Sequence, residues 1–354
     1  MIKQYALGFG IALAGAFIAN AFGMPIPWML GALIFTAICR ILGVNNGAHK
    51  NFRKTGQLIV GVSIGLYFSP QVNEVLIDQS LYIIAGSVST VFISIAGAWF
   101  LYKFSHQNFT TAYFASTVGG ASEMVVIAER KANANLPLIA SAHSLRILTV
   151  VVTIPFIYQY LGIHGNLIDM GSNLPVKISI VDIDWNFFLL FACAIVAGFL
   201  LYKIRFPNAW LVGTMLFTAV LTSHEIHISY VPVEVQRLGQ ILLGWALGSN
   251  YGPHFFKQAP KFIVAMFTVI IFYMLVMTLV AYLMSFPSQY ELETLVLGLS
   301  PGGLAEIAVT AKDLQLGAPV VVAFQIVRLV AVLLLANPLF NFLNKFYESK
   351  HKNI

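Results

Sequence analysis

Charge is what this sequence has least of. Its 354 residues include 20 Lys and Arg and 14 Asp and Glu, so only 10% are charged, against about 25% in soluble domains. That scarcity excludes a soluble globular enzyme and a disordered chain, both of which need more polar surface. The net charge of +6 is scattered along the chain and makes no footprint for nucleic acid. Cysteine is scarcer still. Cys39 and Cys193 lie in apolar runs, which excludes a disulfide framework and reads as two small buried side chains. The sequence has no Cys/His cluster, no Gly-rich loop opening onto Lys-Ser/Thr and no placeable Ser-His-Asp arrangement. His224-Glu225-Ile226-His227 is metal-like in composition, but its spacing matches no ligand set and it is not repeated. No metal site and no cofactor are expected.

What is present is hydrophobicity: 58% of residues are apolar and the mean hydropathy is +0.82. The apolar residues fall in long runs, as in a polytopic helical membrane protein, and not in the short alternating segments of a β-barrel. The first run, Leu7 to Phe22, passes through Met24-Pro25-Ile26-Pro27-Trp28 straight into a second, and reads as an uncleaved first span. No extramembrane domain is expected. Twelve apolar segments can be drawn, near 4–22, 28–43, 56–69, 80–103, 109–129 and 138–161, then 186–203, 209–223, 238–250, 261–285, 293–312 and 318–343. About 20 apolar residues cross a bilayer. The third and ninth segments are short for that, and the fifth and eleventh are interrupted by paired glycines.

The two halves echo each other. Pro25, Trp28, Gly31, Phe35, Thr36 and Ala37 recur 182 residues on as Pro207, Trp210, Gly213, Phe217, Thr218 and Ala219. Gly56-Gln57, Gly61 and Gly65 recur at 183 as Gly239-Gln240, Gly244 and Gly248. Gly119-Gly120 and Glu123 recur at 183 as Gly302-Gly303 and Glu306, and Pro137 and Arg146 at 182 as Pro319 and Arg328. Preserved order with one offset step implies a tandem duplication of about 180 residues, with repeats at 1–170 and 171–354.

Loop charges orient the repeats. The loop after the second segment holds Arg40, Lys50, Arg53 and Lys54, and its partner after the eighth holds Glu225 and Glu234 against Arg237. Glu74 and Asp78 after the third face Lys257 and Lys261 after the ninth. Lys103 after the fourth faces Glu291 and Glu293 after the tenth. Lys203 and Arg205 after the seventh face an uncharged turn after the first. Every pair reverses, which by the positive-inside rule implies inverted repeats with an odd number of crossings each. One of the six segments per half must then fail to cross, and the glycine-interrupted one is the candidate, either re-entrant or as a broken spanning helix. The expected fold is all-α and integral to the membrane: two inverted repeats, about ten transmembrane helices and two glycine-broken re-entrant segments. Both termini fall inside, in agreement with Lys3 and with Lys345, Lys350 and Lys352.

The glycine-interrupted runs carry the candidate chemistry. Ser116-Thr117-Val118-Gly119-Gly120-Ala121-Ser122-Glu123 and Leu299-Ser300-Pro301-Gly302-Gly303-Leu304-Ala305-Glu306 combine a flexible backbone with a helix restart whose N–H groups attract negative charge. Unwound backbone at membrane depth lines a cavity or is buried in protein. Glu123 and Glu306 fall in the first turn of the restarted helix, either as local caps or as groups that bind a cation. Arg146 and Arg328 lie in the middle of apolar segments, where a charge costs about 2.5–3.5 kcal/mol and needs a partner. Glu123 and Glu306 are the expected partners, either in purely structural pairs or with one member free for an ion or substrate. His143 shares a helix face with Arg146 and serves as a proton relay or a satisfied core histidine. Gln57 and Gln240 are candidates for a cavity wall, and Gly61, Gly65, Gly244 and Gly248 for close helix packing.

These motifs resemble a known family. The Pro-x-Pro-Trp-Met-Leu-Gly block from Pro25 to Gly31 with its echo at Asn208 to Gly213, Gly119 to Met124, Ser300 to Glu306, His143 to Arg146 and Gln325 to Arg328 look like the AbrB duplication. The resemblance spans nearly the whole chain and concerns polytopic bacterial membrane proteins, not the unrelated small DNA-binding regulator of the same name. It implies no agreed catalytic residues. Members carry labels such as ammonia monooxygenase and regulator of gene expression. A monooxygenase needs a metal or flavin site, and the eight His residues form no convincing ligand set.

The sequence therefore points to a secondary transporter of the bacterial inner membrane, moving a small solute, with an anion as the candidate, by alternating access. The proposed substrate or ion site comprises Glu123, Glu306, Arg146, Arg328, Gly119, Gly120, Gly302, Gly303, Thr117, Ser300, His143, Gln57 and Gln240. The coupling ion would be a proton or sodium ion. The partners expected are a small-molecule substrate and the lipid bilayer, with no nucleic acid; a homo-oligomer stays open. The alternatives are a membrane-bound redox enzyme and a membrane regulator or scaffold.

Overall fold

The computed structural model describes residues 2–165, 176–253, 255 and 259–351. The repeat boundary at 170/171 lies outside the described residues, as do Lys257 and Lys352. The described chain is helical throughout, with fifteen α-helices, one 3-10 turn at Ile180–Asp182 and no strand among the described residues. Six helices are long and apolar enough to cross a membrane: α1 (Ile2–Ala21), α5 (Ser80–Ser105), α8 (Leu136–Tyr160), α9 (Trp185–Lys203), α12 (Pro260–Ser285) and α15 (Ala318–His351). The chain is an integral membrane protein by that measure.

The shorter helices come in equal lengths. α2 (Pro27–Ile41) and α10 (Ala209–Ser223) have 15 residues each, and α3 (Lys50–Gly65) and α11 (Val233–Gly248) have 16. α6 (Phe109–Ser116) and α13 (Leu292–Leu299) have 8. After a short gap each of these is followed by another helix, α7 (Ala121–Glu129) and α14 (Leu304–Asp313). α4 (Pro70–Asp78) completes the set. The backbone repeats in finer detail. Residues with positive φ pair at a spacing of 182: Gly23 with Arg205, Ile26 with Asn208, Gly43 with Glu225, and Asn133 with Gln315. For a β-branched residue such as Ile26, at φ 44°, this conformation is strained; it directly precedes α2, just as Asn208 precedes α10.

Contacts divide the chain into two compact units, each drawing on both halves. The first takes 1–78, 151–255 and 304–321. In it α2 packs on α1 and α11, and α10 packs on α9 and α3. Glycine permits the closest approaches. A Cβ on Gly65 would stand 2.6 Å from Thr218 Cβ and 2.7 Å from Met215 O. One on Gly248 would stand 2.6 Å from Leu33 O and 2.7 Å from Thr36 Cβ. The two contacts use equivalent residues with the roles of the halves exchanged: α3 of the first half sits on α10 of the second, and α11 of the second on α2 of the first. Here Gly61, Gly65, Gly244 and Gly248 do the close packing expected of them. Thr222 Oγ1 reinforces one of these seams by donating to Gly65 O at 2.8 Å. α9 turns Phe188, Val196, Phe199 and Leu200 outward, all about half exposed, as a lipid-facing helix would.

The second unit takes 79–150, 256–303 and 322–354. α5 and α12 pack together, with α6 against α5 and α13 against α12. α6 opens on Asn108, whose Oδ1 accepts from Thr111 N at 2.8 Å and so caps the helix. α12 exposes Val264, Leu275 and Leu279, again an apolar outer face.

Candidate functional site

The site grows out of two interrupted helices. α6 stops at Ser116 because Thr117 leaves helical geometry, at φ −57° and ψ 127°, and α7 restarts at Ala121. The last carbonyls of a helix have no partner within it and carry its partial negative charge. Buried, they need donors. Arg146 on α8 supplies two, Nη1 to Thr117 O and Nη2 to Gly119 O, both at 2.8 Å. Tyr273 on α12 supplies its hydroxyl to Ser116 O at 2.9 Å and to Ser94 O at 3.2 Å. His143 Nε2 stands 3.0 Å from Phe114 O. A carbonyl only accepts, so that nitrogen carries the proton, and Nδ1 is left buried without a partner. Thr117 turns its own hydroxyl back to Tyr113 O at 2.7 Å.

The second interruption follows the same plan. α13 stops at Leu299. Arg328 on α15 donates from Nη1 to Ser300 O at 2.6 Å and from Nη2 to Gly302 O at 3.3 Å. Gln325, one turn before it, donates to Gly298 O at 3.0 Å and Ser300 O at 3.2 Å and accepts from Arg328 through its Oε1. Within the second unit the two interruptions approach each other. Arg146 and Arg328 are close enough to feel each other's charge. A Cβ on Gly119 would meet Val332 at 2.5 Å, and one on Gly120 would meet Leu329 at 3.3 Å, both residues of α15. The terminal nitrogens of both arginines point to backbone carbonyls, those of Arg328 also to the Gln325 side chain, while Arg146 Nε is buried without a partner.

This corrects the expected Glu–Arg pairing in the first half. Glu123 does not take Arg146; its Oε2 accepts from Ser122 Oγ at 3.1 Å. The reason is positional. The carbonyls that the guanidinium fork meets, those of Thr117 and Gly119, lie inside the break, whereas Glu123 lies beyond it in the first turn of α7. There a carboxylate complements the positive end of the helix.

The remaining expected residues fall elsewhere. Glu306 lies in the first unit, in the first turn of α14. It is buried, at 2% exposure, with Oε1 unpartnered, and it interacts electrostatically with Arg53 of α3 and with Tyr251. Gln57 donates to Asn208 Oδ1 at 3.2 Å. Gln240 donates to Asp313. Thr117, Gly119, Gly120, His143 and Arg146 therefore gather at one interruption, and Ser300, Gly302 and Arg328 at the other, with Gly303 next in the chain. Gln57, Gln240 and Glu306 belong to the other unit. Sequence reasoning missed Tyr273, Lys312 and Asp313. A tyrosine deep in a 26-residue apolar helix, and an acid next to a base closing an apolar segment, were the available signals. Among the described residues no three His, Cys, Asp or Glu side chains gather in a way that would hold a metal ion.

Comparison with known proteins agrees over nearly the full length. The chain is 25% identical to "Uncharacterized protein YhjN" of Bacillus subtilis (strain 168) over 363 aligned positions, covering 96% of this chain and 93% of the relative. It is 23% identical to "Putative regulator AbrB" of Escherichia coli (strain K12) over 328 positions, covering 91% of each. The family described as transition state regulatory protein AbrB matches residues 28–344. That match takes in both interrupted helices and both arginines, and the chain belongs to the AbrB family.

Proposed function

We propose that this chain is a secondary transporter built from two inverted repeats, each with five crossings and one interrupted segment. The observation that carries the reading is the pair of interruptions, each clamped by an arginine at an equivalent position and drawn close within one unit. Helices broken at membrane depth expose backbone groups that bind ions and polar solutes. The equal helix lengths and the positive-φ residues spaced by 182 support the duplication, and the reversed loop charges support the inversion. Both termini would lie on the cytoplasmic side of the inner membrane.

The arginines change their part in this scheme. With their terminal nitrogens turned to carbonyls they brace the breaks, and the work of binding passes mainly to groups beyond the breaks. In the second unit the N–H groups at the start of α7 would face an anionic part of the solute, and Glu123 and, in the first unit, Glu306 would each take a coupling proton or sodium ion. One unit moving against the other would give alternating access. An effect on gene expression, which the Escherichia coli relative's name suggests, would then follow from solute levels.

Charge movement on solid-supported membranes bearing the purified protein tests this. The panel would hold small carboxylates, amino acids and amines under proton and sodium gradients. A saturable signal is expected, lost in Glu123→Gln and in Glu306→Gln at unchanged membrane levels. Wild-type signals in both variants would sink the assignment.

A further inference from the structure

The first unit contains a cavity of about 670 Å³, a size suited to a small metabolite. Its polar wall comes from the end of α14 and one face of α11. Lys312 and Asp313 close α14. Gln236 and Gln240 stand four residues apart on α11 and share a face. Gln236 Nε2 donates to Val231 O at 2.7 Å, which leaves its Oε1 to accept from the Lys312 ammonium. Gln240 Nε2 donates to both carboxylate oxygens of Asp313, at 3.3 and 3.2 Å. Two amides on one helix thus hold a base and an acid that are neighbours in the chain and attract each other.

Two observations ask for a ligand. Gln240 is 4% exposed, lines the cavity, and its Oε1 has no hydrogen-bond partner. That orientation is forced, because a carboxylate only accepts and draws the amide nitrogen to itself. Asp313 also lines the cavity and remains open to solvent. Together they present acceptors that call for a donor. The same cavity is lined by three cations, Lys312, Arg237 and Lys177, against one carboxylate, Asp313, among the described residues. Arg237 is steadied over Trp28, 4.7 Å from the ring centre.

We propose that this cavity binds a small zwitterion, its ammonium on Asp313 and Gln240 Oε1 and its acid group on Lys312 and Arg237. The surplus of cations matches an acidic amino acid best. This is a statement about binding and holds whether or not the chain transports the ligand.

Calorimetry on the full-length protein in detergent tests it, with L-aspartate against succinate, the same skeleton without the ammonium. L-aspartate should bind saturably, and succinate about tenfold or more weakly. Asp313→Asn and Lys312→Gln should each weaken L-aspartate about tenfold, while Asp313→Asn leaves succinate unchanged or tighter. If Asp313→Asn aggregates, Gln240→Leu removes the unpartnered acceptor and carries the same comparison. Succinate binding as tightly as L-aspartate, untouched by Asp313→Asn, overturns the proposal. So does the lack of saturable binding of L-aspartate, L-glutamate and L-alanine up to about 10 mM.

Discussion

Arg146 does the work that the next turn of helix would otherwise do. Its two terminal nitrogens serve the carbonyls of Thr117 and Gly119, which lie in the break beyond α6, and Arg328 does the same for Ser300 and Gly302 beyond α13. The geometry needs a planar fork, which Lys lacks. Arg146→Lys and Arg328→Lys are each expected to lower stability by about 1–3 kcal/mol, the cost of one buried carbonyl left unpaired. Thermal unfolding of the purified variants reads this out, and midpoints equal to wild type for both would show that the forks are dispensable. Tyr273→Phe removes one donor serving two carbonyls and should cost about 1–3 kcal/mol in the same assay. The arginines stood out in the sequence as charges among apolar residues, but their partners did not. A carbonyl at a helix end has no residue-level signature, and a Glu three positions beyond a glycine pair does.

The glycines mark the elements most clearly. Gly119-Gly120 and Gly302-Gly303 fall where two helices are interrupted, and Gly65 and Gly248 where helices approach most closely. Because the two approaches are equivalent, Gly65→Leu and Gly248→Leu should damage the protein alike. Each forces a side chain against backbone at a seam with no spare room, and overpacking of this kind costs about 1–3 kcal/mol or more. Yields of monodisperse protein for the two variants should fall together; a large loss in one and none in the other would break the equivalence. The long spans α5, α12 and α15 were plain from hydropathy. The four helices of 15 or 16 residues were harder to judge, since they are shorter than the usual length of a span, and their burial within the first unit, not their composition, fixes their ends. Lys312 and Asp313 were passed over because a charged pair at a segment end ordinarily reads as a solvated boundary; only the fold brings Gln236 and Gln240 to them.

At the scale of the whole molecule the proposed inverted repeat has a simple consequence for accessibility. Equivalent loops should face opposite sides of the membrane. With Cys39 and Cys193 replaced by Ala, a single cysteine at Asn45 should be shielded from an impermeant maleimide in intact cells, and one at the equivalent His227 should react. Equal labelling of both positions from outside would rule out the inversion and leave a parallel duplication. The proposed duplication rests on residues such as Trp28 and Trp210, whereas the division into two units that each mix both halves was not legible, because contact partners far apart in sequence leave no local pattern.

The exchanged seams, α3 on α10 and α11 on α2, also set a timetable for biosynthesis. When the first half leaves the ribosome, the surfaces of α2 and α3 that carry Leu33, Thr36 and Gly65 have no mate yet. At a synthesis rate of about 5–20 residues per second, the matching surfaces some 180 residues later arrive roughly 10 to 40 s afterwards. During that wait the nascent chain must sit in the lipid with its tightest contacts unmade, open to insertion factors, to proteases, and to the corresponding half of another nascent copy.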